Sequence, residues 1–226
     1  MAVGRKYVQG MVWLGMMALA GCRTVPFEPV KRVPLADQSA ESIRRGFSRQ
    51  VPAIVEEENT VTFEFAWRKV AALGVLRIDR TRGRFAVVGL THAGVKLFEI
   101  TGDGDAIQTH FLLPELARRG DLGRAIGSDI RSIYLDLVPA PSAEVDRTRD
   151  SICFHESWDN GEGADYVLAG APAVLVEKRC FSGGHKVATV RYYDYVESGG
   201  KLSPTGVILD NHKASYRLII RRKTGS

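Results

Sequence analysis

No apolar run in this 226-residue chain is long enough to cross a bilayer as a helix. The longest, Met11 to Leu19, falls well short of the roughly 20 residues a span needs. The usual catalytic signatures are missing too. There is no GxSxG elbow, no GxGxxG after a strand, no phosphate-binding loop and no HExxH. The five histidines, His92, His110, His155, His185 and His212, show no i, i+4 pair, so the sequence alone offers no converging metal ligands. The carboxylates of Gly102-Asp103-Gly104-Asp105 are too few for a calcium loop, and the stretch reads as a hairpin turn. Net charge is only +5, spread along the chain, which argues against a nucleic-acid partner. These gaps point away from an enzyme and from a resident cofactor.

What is present begins at the N-terminus. Arg5 and Lys6 form a basic start, Met11 to Leu19 an apolar core, and small residues lead to Leu19-Ala20-Gly21-Cys22. This is the layout of a secretory signal. The final four residues resemble the bacterial lipobox, in which the cysteine thiol is lipidated and the chain is cut just before it. Residues 1–21 are then a signal peptide and Cys22 carries a covalent lipid, the only prosthetic group expected. Residues 22–35 hold Pro26, Pro29 and Pro34 with no apolar period, and read as an extended tether standing the domain off a membrane. Residues 36–226 suit a single domain. With Cys22 lipidated, Cys153 and Cys180 remain, and in an oxidising compartment they could form one disulfide; two buried free thiols are the alternative.

Within the domain, 36–50 reads as a helix with Ser39 as N-cap and Ile43 and Phe47 on one face. Residues 51–59, with three glutamates in a row, read as a connection. The period then changes to two. Phe63, Phe65 and Trp67 alternate with Thr62, Glu64 and Ala66. Strands follow at 70–79, 84–90, 95–101 and 106–113, an antiparallel meander. Residues 114–137 recur at spacings of three and four and form two helical pieces split near Gly120. Residues 139–149 read as a loop. Strands resume at 151–155, 165–170, 173–181, 186–196, 207–209 and 215–222, with a longer loop opening at Ser198-Gly199-Gly200.

The fold class is therefore mainly β with a few helices. A long curved sheet has more apolar inner face than one or two helices can cover. The candidate lining of a hydrophobic cavity is Phe63, Phe65 and Trp67 from one strand, Phe85 and Phe98 from the strands at 84–90 and 95–101, and Tyr192. Tyr216, Leu218 and Ile220 complete it from the last strand. Alternatively these side chains simply fill a core.

The order RGRFAVVGL, turn, VKLFEI, turn-bearing strand, helices from Pro114 to Leu137, then VRYYDYVESGGKLSPTGVILDNHKASYRLIIRR resembles the LolA/LolB-like lipoproteins. The resemblance covers Thr60 to Lys223. It implies a half-open, strongly curved antiparallel barrel with a helical lid, and an apolar concave face for acyl chains. It also implies a membrane-facing turn between two early strands. Here that turn is Thr91-His92-Ala93-Gly94 after Leu90, with no leucine at its tip. Arg23 follows Cys22 where an aspartate would signal inner-membrane retention, which implies a periplasm-facing outer-membrane anchor. The expected partners are the membrane and a hydrophobic ligand or lipoprotein acyl chain. A structural lipoprotein docking a protein partner is the alternative.

Overall fold

The computed structural model describes residues 25–35, 38–118 and 120–223. Cys22 and the signal segment lie outside the described residues. Among those described, the strands form a single antiparallel sheet in the order β5-β4-β3-β2-β1-β12-β11-β10-β9-β8-β7-β6. Its elements are β1 (Ile54–Phe65), β2 (Arg68–Asp79), β3 (Arg84–Leu90), β4 (Lys96–Asp103) and β5 (Ala106–Leu112). After the helices come β6 (Glu144–Arg147), β7 (Ser151–Ser157), β8 (Glu162–Ala169), β9 (Val174–Ser182), β10 (His185–Ser198), β11 (Lys201–Asn211) and β12 (Tyr216–Arg222). Every neighbour is a hairpin partner except β1 and β12, which pair along Asn59–Phe65 and Tyr216–Arg222 and join the two halves. The sheet is curved and does not close: β5 and β6 are its free edges. The mainly β, half-open expectation holds.

The helices lie on the inner face. α1 (Ala40–Gln50) starts at Ser39, whose hydroxyl accepts from Ser42 N–H as an N-cap, and buries Ile43 and Phe47. α2 (Pro114–Ala117) is one turn. α3 (Leu122–Ile130), capped by Asp121, runs directly into a π-helical turn, Arg131–Leu135. α3 approaches β5 closely because Gly123 and Gly127, one turn apart, present no side chain. A Cβ at Gly123 would stand 2.1 Å from Thr109 Oγ1, and one at Gly127 2.8 Å from the Ile107 side chain.

The core lies between these helices and the inner face, centred on Ile78, Ile100, Ile133, Leu168, Val190, Tyr192 and Leu209. Two cross-strand pairs explain glycines in β3 and β4. The Phe98 ring lies over Gly89 and the Phe85 ring over Gly102, where any Cβ would collide.

Several expectations change. Residues 54–59 belong to β1, not to a connection. The three glutamates conceal an alternation in which Glu56 and Glu58 face out while Glu57 faces in and pairs with Arg222 at 3.3 Å. Glu144–Arg147 forms the edge strand β6 inside the expected loop, and its four residues are all exposed, so no alternation marks it. Ser198-Gly199-Gly200 is a tight hairpin turn, both glycines having positive φ, within β10–β11. Trp67 lies in the β1–β2 turn, beyond the end of the strand, and is 82% exposed.

The disulfide does not form. Cys153 pairs with Val167 on one side of β8, and Cys180 with Ala164 on the other. Positions three apart on one strand face opposite ways, so the two thiols point to opposite faces with a strand between them, and both are free.

The segment 25–35 does not stand off. Its first residues lie along the outer face, and Leu35 packs against the main core. The Phe27 ring stacks on Tyr193 at 5.5 Å, covers Gly206, and sits with Ile208 in a small second core. Glu28 N–H donates to Asp194 Oδ1 at 2.9 Å, Arg221 Nη2 donates to Pro26 O at 2.8 Å, and Leu35 N–H to Arg149 O at 3.0 Å.

Candidate ligand-binding cleft

The C-terminal end of the lid is pinned to the sheet by three side chains, two on strands and one just after β2. A helix end leaves carbonyls without partners and carries partial negative charge. Lys178 on β9 donates to Asp136 O at 2.6 Å and Ser132 O at 3.3 Å, with its ammonium 5.3 Å from the centre of the Tyr166 ring. Arg80, just after β2, donates from Nε to Tyr134 O at 2.6 Å and from Nη1 to Pro52 O. Tyr192 on β10 donates to Ile133 O at 3.0 Å. Lys178 is only 2% exposed, and burial pushes its pKa below the usual ammonium value. Burial likewise lowers Arg80.

Beside this pinned end opens a cleft of about 560 Å³, within the roughly 300–1,000 Å³ typical of small-ligand sites. Its apolar wall is Val51, Pro52, Leu135, Leu137, Val138 and Trp158; Ser48, Arg80, Asp136, Glu156 and Tyr166 supply polar atoms. Glu156 is held in place by Ala140 N–H and by Tyr166 O–H at 3.4 Å. The combination suits an amphiphile, with a tail against Val51, Val138 and Trp158 and a polar end near Arg80.

The residues named from sequence share the inner face, apart from Trp67, but none borders this cleft. Phe85, Tyr192 and Ile220 are buried in the core. Phe98, Tyr216 and Leu218 pack against it. Phe63 stacks on Phe65 at 6.4 Å and lies 5.2 Å from Tyr216. Phe65 is 46% exposed near the open end of β1. Tyr192 alone touches a void, of only about 20 Å³, between α1 and β10. Helices and aromatic rings fill most of the inner face. In the turn after Leu90, Thr91 closes both backbone and side-chain bonds with Gly94 and Val95, while His92, Ala93 and Gly94 are exposed.

Neither a protein-family model nor a curated protein matches this sequence. Solved structures do match in shape. A LolA superfamily protein from Nitrosomonas europaea superposes with a TM-score of 0.53 at 9% identity, over 83% of this chain and 92% of that one. An outer membrane lipoprotein-sorting protein domain from Vibrio parahaemolyticus gives 0.54 at 10% identity, over 81% and 89%. The fold is LolA-like. At such identities it is the architecture that is shared.

The outer face of the sheet is charged where the inner face is apolar. A ladder of charges crosses it from β8 to β12. Asp165 bonds Arg179 at 3.3 Å, Arg179 bonds Glu177 at 2.7 Å, Glu177 bonds Arg191 at 3.0 Å, Arg191 bonds Asp210 at 2.8 Å and Asp210 bonds Arg217 at 2.6 Å. At the β7 end of the ladder stand Cys153 and His155. Burial pushes the Cys153 thiol up to about 11, so it is no thiolate nucleophile at neutral pH. The hydrogen bond to Asp165 raises His155 above its ordinary value. The expectation that no ligand-type residues converge fails here. Cys153 and His155 are two apart on one strand and so share a face, a signal visible once 151–155 is read as a strand. Asp165 arrives from β8 only through the hairpin register.

Proposed function

We propose that the protein is a non-catalytic lipoprotein, anchored to the outer membrane by acyl chains on Cys22 and facing the periplasm. Its half-barrel takes an acyl chain or an acylated segment of a lipoprotein into the cleft between the lid end and the sheet. The observation that carries this reading is the 560 Å³ cleft with one apolar wall and Arg80 at its side, in a fold shared with a protein described as sorting outer-membrane lipoproteins. An apolar chain gains about 0.8 kcal/mol per buried methylene, so a long tail binds without a charged contact.

The test is a titration of the full-length protein in detergent with a fluorescent fatty acid. Val138→Asn places an amide on the apolar wall, where the ligand would desolvate it without a partner at about 1–3 kcal/mol. Affinity should fall about tenfold. Phe65→Asn, on the inner face away from the cleft, should leave affinity unchanged. Loss with Phe65→Asn alone would move the ligand to the open end of the inner face. The anchor is tested separately: Cys22→Ser should come off membranes under a high-salt wash that leaves the wild type bound, since two or more acyl chains hold firmly and none holds at all.

A second reading is favoured by one specific observation. Phe85, Tyr192 and Ile220 are packed tight beneath the helices, so most of the inner face is already occupied by the chain itself. That suits a structural lipoprotein that docks a protein partner. No fatty-acid binding by the wild type would favour this reading.

A further inference from the structure

Cys153, His155 and Asp165 share the outer face of the sheet on two paired strands, β7 and β8. His155 stands directly opposite Asp165. Asp146 on β6 stands directly opposite Cys153. Cys153 Sγ lies 3.9 Å from His155 Nδ1, and His155 Nδ1 lies 2.7 Å from Asp165 Oδ1. One sulfur, one nitrogen and one oxygen thus fall within 4.8 Å of one another.

We propose that these three side chains form a site for a zinc-class divalent cation, held by Cys153 Sγ, His155 Nδ1 and Asp165 Oδ1, with water completing the shell. Zinc–ligand distances of about 2.0–2.3 Å in a tetrahedral site put neighbouring ligand atoms about 3.3–3.8 Å apart. The sulfur–nitrogen distance of 3.9 Å has to close by a few tenths of an ångström, the nitrogen–oxygen distance of 2.7 Å has to open by about 0.6 Å, and the sulfur and oxygen, within 4.8 Å of one another, have to come into the same range. Side-chain rotation on two neighbouring strands supplies these shifts.

The surrounding groups fit this assignment. His155 Nε2 is buried and has no aligned hydrogen-bond partner among the described residues, although Asp146 Oδ2 is 3.2 Å away. With Nδ1 on a metal, Nε2 carries the ring proton and turns it to Asp146, the carboxylate–histidine–metal arrangement common to such sites. Arg179 occupies the other oxygen of Asp165, Oδ2, at 3.3 Å, orienting the carboxylate and leaving Oδ1 for the metal. Its positive charge opposes a cation, but Asp146, Asp165 and the Cys153 thiolate that forms when the metal displaces the thiol proton to water together outweigh it. A mixed thiolate, imidazole and carboxylate set suits zinc or cobalt rather than calcium or magnesium. The cleft lies on the inner face, so this site is separate from the proposed lipid site and stands or falls independently of it.

Cobalt(II) makes the test, because it reports its ligands by colour. The full-length protein, stripped with a chelator in detergent, is titrated with cobalt(II). A thiolate-to-cobalt charge-transfer band in the near ultraviolet and the intense visible bands of a four-coordinate site are expected, and added zinc should bleach them. Cys153→Ser should abolish the charge-transfer band. Cys180→Ser, with its thiol on the opposite face, should keep it. Asp146→Asn should weaken zinc about 10- to 100-fold while leaving the spectrum's shape. Circular dichroism confirms that each variant is folded. No charge-transfer band in the wild type, or a band that survives Cys153→Ser or vanishes in Cys180→Ser, would overturn the proposal.

Discussion

Asp129 is a carboxyl group on the lid helix α3, 9% exposed, where the lid meets the sheet. It accepts a hydrogen bond from the Tyr216 hydroxyl on β12, and Asn211 Nδ2 in turn donates to the Tyr216 oxygen at 3.0 Å. Burial pushes its pKa from the ordinary 3.8 to about 6, against the opposing pull of those hydrogen bonds. At about 1.4 kcal/mol per pH unit, that makes the ionised carboxylate about 3 kcal/mol less compatible with the folded state than with the unfolded one. The sign follows from proton counting. Between pH about 4 and about 6 the folded protein keeps a proton that the unfolded chain has released, so this group's contribution falls as pH rises through that window and is flat above it. Asp129→Asn keeps an acceptor for Tyr216 and removes the titration. Relative to the wild type, the variant should therefore gain about 3 kcal/mol between pH 4 and pH 7.5. At neutral pH its net advantage should be about 1–2 kcal/mol, because a neutral acceptor holds the tyrosine less strongly than a carboxylate. Urea denaturation of both proteins across that range measures the difference directly, with equal m-values as the condition for comparison. A difference that stays constant with pH, or that falls, would refute the assignment of Asp129 as the strained charge beneath the lid.

Four other outcomes follow from the structure. Phe27→Ala should cost about 2–4 kcal/mol, less than a central core site because the patch is small, and limited proteolysis should then cut within 25–35, which the wild type resists. Gly127→Val should disrupt the seating of α3 on Ile107 and cost about 1–3 kcal/mol or more, whereas Gly104→Ala, in an open turn at φ +54, costs about 1 kcal/mol from backbone strain alone. Alkylation of the unfolded, unreduced domain should label both Cys153 and Cys180, and its mobility on a non-reducing gel should not change with reductant. Trp67→Ala should leave stability within about 0.5 kcal/mol yet reduce partitioning onto anionic vesicles, because an exposed tryptophan flanked by Arg68 and Lys69 suits a lipid interface.

The sequence pattern shows the sheet where side chains alternate in character, as in β3, β4 and β12, and hides it where they do not. Glu56–Glu58 is strand because Glu57 has Arg222 to meet on the inner face, a partner 165 positions away that no local pattern can supply. β6 is invisible because an exposed edge strand needs no apolar side. The helix break at Gly120 and the cap at Ser39 are local, and both are legible. The aromatic face was also legible, since alternation alone places Phe63, Phe65, Tyr216, Leu218 and Ile220 on one side. What alternation does not say is how far the helices cover that face. The close seat of α3 depends on Gly123 and Gly127, and it fills the space that the aromatic rings were expected to enclose. The cleft draws its wall from Val51 to Ala53 and from the end of the π-helical turn at Leu135 onward to Ala140, stretches brought together only by the lid crossing the opening.

The docked segment 25–35 adds a constraint to the proposed anchor. Five residue steps separate Cys22 from Phe27, and a chain spans at most about 3.6 Å per residue, so the proposed acylation point can be no more than about 18 Å of backbone from the Phe27 Cα. That ring is fixed between Tyr193, Gly206 and Arg221 on the outer face of β10–β12. A free tether of the length from Cys22 to Leu35 would let the domain tumble at the membrane; with the proposed anchor in place, docking of 25–35 would instead turn a single face of the barrel toward the bilayer. Under that proposal the inner-face cleft would keep one orientation relative to the lipid surface. Phe27→Ala, by freeing the segment, should leave fatty-acid affinity in detergent unchanged while slowing transfer of the bound acid from the cleft to vesicles on which the protein is anchored. Equal transfer rates in the two proteins would mean that orientation contributes nothing, and that the docking of Phe27 serves stability alone.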